Sequence, residues 1–433
     1  MIFSKKNNDD DSAVLDAPVS ESAAVSSPPA LGFRDGMTGS GMLGLIFQVC
    51  ESMGVSDVQI RSNLPVYIET NKGMEVLTHL GVLSTDQVFK IYIELLKNRE
   101  SASHSFGESD ADAAANEKID KAVKEFKVKH VDDFSCNGIK VVTTGKTSGR
   151  LRVQAHLSAN GLGVTCRILN DSIPKIADLG IDVDVEEMLM NAVQRRAGLC
   201  LITGPTGSGK STTLAAIIDW LRQNFSKHIV TVEDPVEYQY PPDMDDPSGS
   251  SEKVIAPSVV TQQEVGRDLE SYRQGLKDVL RKAPHVILLG EIRDREAMQT
   301  CMEAAQTGHL VLSTLHTTGA VKTMGRILEM YPKESHTAVL NRLSEILIFI
   351  HSQGLLSGKD GRVLTYEFLQ NNTDASASSI IAYEKGARAL EDTIKQSGNI
   401  AWDDKLGKLY REGKISIETF ENARMHREET EYV

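Results

Sequence analysis

Apolar residues in the first half of the chain recur at two periods, one typical of helices and one typical of strands. Spacings of three and four predict that the first ordered helix contains Met42, Leu45, Ile46, Val49 and Met53. A second helix is predicted to begin at the capping box formed by Ser84 and Gln87. Alternating apolar and polar residues predict strands at residues 57–61, 66–68, 139–144, 150–157 and 162–169. We therefore expect an α+β domain with an antiparallel sheet, in which the polar segment 100–115 forms a loop.

The second half of the chain has a different pattern. Short continuous apolar runs alternate with helical patterns, at residues 199–203, 229–232, 286–289 and 310–312. Strands that are buried on both faces and connected by helices are typical of a parallel α/β sheet. Residues 241–251 are predicted to be a loop within this domain, and the chain after residue 368 is predicted to be mainly helical and charged.

These patterns divide the chain into five segments. Residues 1–40 are rich in Ser, Ala, Pro, Gly and Asp, and we expect them to form a disordered tail. An N-terminal domain is expected at 41–170, a linker at 171–183, an α/β domain at 184–370 and a helical C-terminal region at 371–433.

The strongest chemical signal is a glycine-rich loop between a predicted strand and a predicted helix. It consists of Gly204, Pro205, Thr206, Gly207, Ser208, Gly209, Lys210 and Ser211, followed by Thr212. This order and setting are those of a P-loop, whose glycines let backbone amides surround a polyphosphate. Lys210 is then expected to reach the β- and γ-phosphates of ATP, and the Ser211 hydroxyl to bind Mg²⁺.

Acidic residues follow two of the other predicted strands. Glu233 and Asp234 come directly after one strand, with Glu237 three residues later, and Glu291 follows another. A carboxylate at the end of a parallel strand can bind Mg²⁺ or orient the attacking water. The spacing does not assign these steps to particular residues, and solvated or helix-capping acids are the alternative.

Five further side chains are candidates for the site. His309 and His316 flank a predicted strand, and we expect both near the nucleotide side, although a structural role is the alternative. Arg150, Arg152 and Arg167 lie on the polar faces of N-terminal strands. They either form a solvated face or approach phosphate across a domain or subunit boundary.

Composition narrows the possible functions. The chain has 60 acidic and 47 basic side chains, a net charge of −13, which argues against a duplex-DNA binder and any sequence-specific nucleic-acid partner. No apolar run approaches the roughly 18 residues that cross a membrane, and the N-terminus shows no secretion signal. The five cysteines are widely separated, so no thiolate zinc site is predicted. We expect a cytosolic protein without a transmembrane segment.

Together, these residues resemble the secretion-superfamily ATPases, the hexameric motors of type II and type IV secretion and of type IV pili. The resemblance extends over about residues 42–425. Its segments are the Walker A loop at 204–212, the acidic box at 233–237, the atypical Walker B segment at 290–294 and the histidine box at 307–317. The resemblance implies a RecA-like P-loop NTPase domain preceded by a smaller PAS-like α+β domain, with nucleotide between them and six subunits in a ring.

The resemblance also implies roles for the candidate side chains. Glu291 becomes the preferred general base, and Glu233 supports the metal or the water. His309 and His316 sense or align the γ-phosphate, and the two strands that carry Arg150, Arg152 and Arg167 match the family's arginine-bearing strands.

Other segments resemble the Dot/Icm and plasmid-transfer branch, at residues 266–272, 280–284 and 303–308. The paired-cysteine zinc insert of pilus-assembly members is absent, and so is the Ala-Ile-Arg-Asn-Leu stretch of retraction motors. The resemblance therefore implies a motor of a type IVB secretion or conjugal-transfer machine, docked on its inner-membrane components at the cytoplasmic face. The alternatives are a pilus retraction ATPase, a nucleic-acid translocase and a non-catalytic nucleotide-gated scaffold.

Overall fold

The computed structural model of the chain describes residues 32–34, 36–51, 53–70, 73–100, 111–139, 149–169, 172–359, 361–396 and 398–425. The predicted tail lies outside these residues up to residue 31, and the first helix already begins at Gly39. No helix in the described ranges combines the length and the apolar character needed to span a bilayer.

The N-terminal domain is built on a six-stranded sheet. Its strands are β1 Asp57–Arg61, β2 Pro65–Thr70, β3 Gly73–Val82, β4 Val131–Cys136, β5 Leu151–Ser158 and β6 Gly161–Ile168. They pair antiparallel in the order β3-β2-β1-β6-β5-β4, which confirms the predicted type of sheet. The core lies between this sheet and the helices α1 Gly39–Cys50, α2 Thr85–Glu100 and α3 Ala111–Lys129. The capping box is confirmed, because Ser84 and Gln87 exchange side-chain to backbone hydrogen bonds before α2.

One prediction in this domain fails, and another falls mostly outside the described residues. The segment 100–115 is not all loop, because α2 extends to Glu100 and α3 begins at Ala111. The buried residues Ile119 and Phe126 of α3 lie two turns apart on the same face of the helix. Charged residues surround both in the sequence, so the helical spacing was not recognised. The predicted strand 139–144 lies outside the described residues after residue 139, and the strand that pairs with β5 is β4.

The second domain has a seven-stranded sheet. Its strands are β7 Gly198–Thr203, β8 His228–Glu233, β11 Val259–Glu264, β12 Val286–Leu289, β13 Leu310–Leu315, β14 Leu347–Gly358 and β15 Gly361–Gln370. The order is β11-β8-β12-β13-β7-β14-β15, and only the β14–β15 pairing is antiparallel. The predicted parallel α/β sheet is therefore confirmed. The predicted loop 241–251 is not entirely loop, because it contains the strand β9 Asp243–Asp245. This strand forms a small antiparallel hairpin with β10 Lys253–Ile255, which follows the predicted loop.

Helices cover both faces of this sheet and enclose a separate buried cluster on each. They are α4 Val183–Ala192, α5 Lys210–Asn224, α6 Tyr272–Val279, α7 Arg295–Gln306, α8 Ala320–Glu329, α9 His336–Ile346, α10 Asp374–Ile381, α11 Arg388–Ile394, α12 Trp402–Arg411 and α13 Ile417–Ala423. The last four form the C-terminal region. Its helix α12 is joined to the start of α4, because Lys405 and Lys408 both donate to the Asp182 carboxylate at 2.8 Å.

Candidate nucleotide site

The glycine-rich loop connects the buried strand β7 to the first turn of α5. Gly207 and Gly209 adopt φ angles of 77° and 87°, in the left-handed region that glycine enters without a steric penalty. A side chain at Gly204 would collide with the Gln353 carbonyl of β14. These positions require glycine, so the loop's shape is encoded in its own sequence.

Lys210 and Ser208 are two of the polar side chains in this loop. The Lys210 ammonium donates to the carbonyl oxygens of Gly204 and Pro205 at 2.9 and 3.0 Å. Burial lowers its pKa, and the negative charges of Glu291 and Glu237 oppose that shift. The Ser208 hydroxyl is buried without a hydrogen-bond partner among the described residues. A buried unpaired hydroxyl beside a lysine suits an anionic oxygen.

Gln353 of β14 supports the loop from behind. Its side-chain amide donates to the Ser208 carbonyl at 2.7 Å and accepts from the Thr213 hydroxyl of α5 at 2.9 Å. The residue is 1% exposed. Gln353 therefore joins the loop to the helix that follows it, and our sequence analysis did not single it out. The only available signal was a polar His-Ser-Gln run inside an apolar strand.

The acidic residues lie at the same edge of the sheet as the loop. The ends of β8, β12, β13 and β7 are aligned by their parallel registers. Burial raises the pKa of Glu233 to about 7, against the lowering effect of hydrogen bonds from Thr231 and Gln262. This carboxyl therefore changes its charge near neutral pH in the nucleotide-free protein.

Glu291, which follows β12, is held from both sides. The His316 Nε2 lies 3.4 Å from one of its carboxylate oxygens, and Arg293 donates to the other at 3.1 Å. Arg293 also contacts the Asp234 carboxylate at 3.2 Å and stacks over the Tyr272 ring. The structure thus brings Glu291 and His316 together at the edge that carries the P-loop.

His309 is not at this edge, so the expectation that both histidines face the nucleotide side is wrong within one chain. It precedes β13, where its carbonyl accepts from the Gly198 amide at the start of β7. Its ring contacts the Ala304 carbonyl at 3.0 Å. The six-residue strand β13 separates it from His316 by about 20 Å of extended backbone. His309 therefore lies at the amino end of β13 and His316 at its carboxyl end, the end at which the neighbouring strand β7 leads into the P-loop.

The three arginines of the N-terminal domain have different surroundings. Arg150 is 7% exposed, and it donates to the Val236 carbonyl of the acidic box at 2.6 Å. Arg152 is more exposed and pairs with Asp133 at 3.1 Å. That hydrogen bond raises the pKa of Arg152, with smaller contributions from the charges of Glu237 and Asp234.

Arg167 has a partner within its own domain. It forms an ion pair with Asp57 at 2.8 Å on the polar face of the sheet, with 59% of its side chain exposed. Arg150 therefore contacts the acidic box directly, and the charges of that box act on Arg152. Among the described residues, the ion-pair partner of Arg167 is Asp57 of its own domain.

The residues at the edge fit a magnesium-bound nucleotide. Among the described residues, no group of three or more His, Cys, Asp or Glu side chains could hold a metal ion by itself. Mg²⁺ that accompanies a nucleotide needs only one or two protein ligands, because phosphates and water supply the rest. The Ser211 hydroxyl at the start of α5 and the Glu233 carboxylate at the end of β8 would hold such an ion.

Comparisons with known proteins identify the family of this chain. Residues 137–357 match the family described as type II/IV secretion system protein. The type IV pilus retraction ATPase PilT of Pseudomonas aeruginosa is 37% identical over 303 residues, which cover 69% of this chain and 80% of that protein.

Two solved structures resemble the whole fold. The pilus retraction motor PilT with bound ADP superposes with a TM-score of 0.71 at 31% identity, covering 89% of this chain and 97% of that one. The Legionella pneumophila ATPase DotB superposes with a TM-score of 0.70 at 23% identity, covering 91% and 97%, a likeness that shows the fold alone. The matched family covers the P-loop, the acidic box and the Glu291 segment. This chain therefore belongs to the type II/IV secretion system protein family, with the RecA-like fold of the secretion and pilus ATPases.

Proposed function

We propose that this chain is a motor ATPase that couples ATP hydrolysis to a type IV secretion or conjugal-transfer machine. The observation that carries the proposal is the shared sheet edge, where the Lys210 loop and the Glu291–His316 pair lie at the ends of neighbouring strands. A P-loop beside a positioned carboxylate is the arrangement that phosphoryl transfer to water needs.

The chain's own residues divide the chemistry. Backbone amides of the loop and Lys210 bind the phosphates and neutralise their charge. Glu291 accepts the proton of the attacking water, and His316 and Arg293 fix the orientation of its carboxylate. Ser211 and Glu233 hold Mg²⁺, which supplies further charge neutralisation when it is bound.

For the chain to act as a motor, ATP hydrolysis must move the N-terminal domain relative to the ATPase domain. The contact of Arg150 with the acidic box, and the charges of Glu237 and Asp234 that act on Arg152, support a role for N-terminal groups at the site. Ordering Arg152 on ATP and releasing it after hydrolysis rotates the N-terminal domain. In a homo-hexameric ring, each rotation moves the neighbouring subunit and does mechanical work on inner-membrane components at the cytoplasmic face.

The test is the variant Glu291→Gln, measured for nucleotide binding and for phosphate release. Binding is expected to stay within a few-fold of wild type, while turnover falls by about 100-fold or more because the general base is lost. Exposed Glu329 on α8 provides a matched Glu→Gln control that leaves both unchanged. Near-normal turnover by Glu291→Gln would remove Glu291 from the role of general base. The absence of any turnover by the wild-type chain would refute the proposed function.

Pilus retraction is the second candidate, and the 37% identity to PilT favours it. The three sequence segments that resemble the type IVB branch favour secretion or conjugation instead. Deleting the gene distinguishes the two. Loss of substrate export or plasmid transfer with normal piliation supports the secretion motor, whereas excess surface pili with normal export support retraction.

A further inference from the structure

A buried polar cluster joins the N-terminal domain to the acidic box of the ATPase domain. It consists of Ser135 of β4, Arg150 at the start of β5, Val236 of the acidic box and Glu264 at the end of β11, and we call it the interdomain latch. All three polar side chains are almost inaccessible: Ser135 and Glu264 are 1% exposed and Arg150 is 7% exposed.

Glu264 is the centre of the latch. One of its carboxylate oxygens accepts from the Ser135 hydroxyl at 2.6 Å and from the Val236 amide at 3.0 Å. The same oxygen lies 3.8 Å from the Arg150 guanidinium. Arg267 of the same domain lies 3.9 Å from this oxygen as well. Two donors and two nearby cations stabilise the buried carboxylate, and removing one of these partners is costly.

Arg150 completes the latch from the other domain. One of its nitrogens donates to the Val236 carbonyl at 2.6 Å, and another donates to the Ser135 hydroxyl at 2.8 Å. The amide of Val236 is thus held by Glu264 and its carbonyl by Arg150. The bond from the Val236 amide lies within the ATPase domain, whereas the Arg150 bond to its carbonyl and the Ser135 bond to Glu264 exist only while the two domains are docked.

The latch is adjacent to the reacting edge. Val236 lies between Glu233 and Glu237 in the chain, and Glu264 pairs in register with Glu233 across the ends of β11 and β8. A shift of the Val236 backbone therefore moves the carboxylates on both sides of it. A displacement of even 1 Å in a catalytic group lowers the rate substantially.

We infer that Glu264 and Arg150 are positioning residues that align the acidic box for hydrolysis only while the N-terminal domain is docked. The inference rests on the proposed function, since it concerns the same site. The inference also gives the two arginines different roles. Arg150 donates to Val236 and Ser135 and acts through the acidic box, and Arg152 is then the arginine that contacts phosphate. Rotation of the N-terminal domain then releases the acidic box and lowers the rate of hydrolysis.

The experiment compares Ser135→Ala, Arg150→Lys and Glu264→Gln in the full chain. Lysine keeps the charge of Arg150 but replaces the two guanidinium nitrogens that bind Val236 and Ser135 by a single ammonium group. Backbone hydrogen exchange is measured on a peptide that covers residues 233–240, and kcat and KM for ATP are measured on the same samples. Lys129→Met, which removes an exposed ion pair with Glu125 in the same domain, is the matched control.

All three variants are expected to raise exchange in residues 233–240 by about tenfold, the effect of losing one buried hydrogen bond. They are also expected to lower kcat by a similar factor, with KM within about threefold of wild type because the Lys210 loop is untouched. The control changes none of these. Exchange in β13 stays unchanged, which distinguishes a local release from general destabilisation, and thermal unfolding identifies any variant that fails to fold.

Unchanged exchange and unchanged kcat in both Ser135→Ala and Arg150→Lys would overturn the inference. So would a rise in KM that accounts for the whole loss of activity, because that result would place Arg150 on the nucleotide itself. If the wild-type chain hydrolyses no ATP, the proposed function fails, and the exchange of residues 233–240 still decides whether the latch exists.

Discussion

The P-loop and the arginine-bearing strands of the N-terminal domain differ in how their functional groups are held. The loop owes its conformation to its own glycines and to contacts with neighbouring strands, from Gln353 of β14 and the Leu315 carbonyl of β13. The arginines occur in two short strands, yet Arg150 is buried against the acidic box and Arg167 is exposed and paired within its domain. The geometry of the P-loop residues is thus set mainly within one contiguous motif. The arginines are the same type of residue on one sheet, but each has a different environment because different groups pack against it.

The sharpest test of the loop is Lys210→Ala. The affinity for ATP is expected to fall by about 100-fold or more, because charge-assisted hydrogen bonds to phosphate contribute up to about 3 kcal/mol. Calorimetric titration with magnesium-ATP measures the loss. Lys97→Ala, which removes an exposed lysine of α2, is expected to bind normally. Unaltered binding by Lys210→Ala would mean that the loop is not the phosphate site.

Gln353→Leu tests whether the loop needs its support. The Ser208 carbonyl and the Thr213 hydroxyl would both lose a buried partner, which costs about 1–3 kcal/mol of unfolding free energy. We expect the affinity for ATP to fall by about 10- to 30-fold, because binding must then reorder the loop. Denaturant unfolding and calorimetry report the two effects separately.

Gln194→Leu, an exposed glutamine ahead of β7, is the control for that substitution. If Gln353→Leu lost stability and kept full affinity, the loop would hold its conformation without β14, and the contrast with the arginines would be stronger than we describe.

Arg152→Met and Arg167→Met test the division among the arginines. The charges of Glu237 and Asp234 act on Arg152, so we expect Arg152→Met to lower kcat by about tenfold. Arg167→Met is expected to change kcat by less than about twofold. Steady-state phosphate release measures both. Equal losses would show that the two neighbouring strands act as one unit and that burial does not distinguish their side chains.

The same contrast explains what the sequence could predict. The P-loop, the parallel strands and the carboxylate of Glu291 follow from contiguous patterns, and the structure has each loop and strand in the expected setting. Glu264 could not be found that way, because β11 begins with only two apolar residues and its partners lie more than 25 residues away in the chain. His309 was misplaced although the two histidines flank one predicted strand, because the two ends of a strand lie at opposite edges of the sheet.

The smallest expected effect is the pH dependence that the Glu233 carboxyl gives to both stability and nucleotide affinity, in opposite directions. Because the pKa of this carboxyl is raised to about 7, the folded protein binds its proton more tightly than the unfolded chain. The resulting contribution to stability is present below the ordinary pKa of a glutamate and is lost as the pH rises through 7. Binding of magnesium-ATP needs the ionised form, so the affinity is expected to rise by up to about tenfold between pH 6 and pH 8. Stability without nucleotide and affinity for nucleotide should therefore change in opposite directions over the same range.

Glu233→Gln is expected to remove both dependences, whereas the exposed Glu329→Gln keeps them. If the affinity of Glu233→Gln still rose with pH, another group at the edge would be responsible, and Glu233 would not be a ligand of the metal.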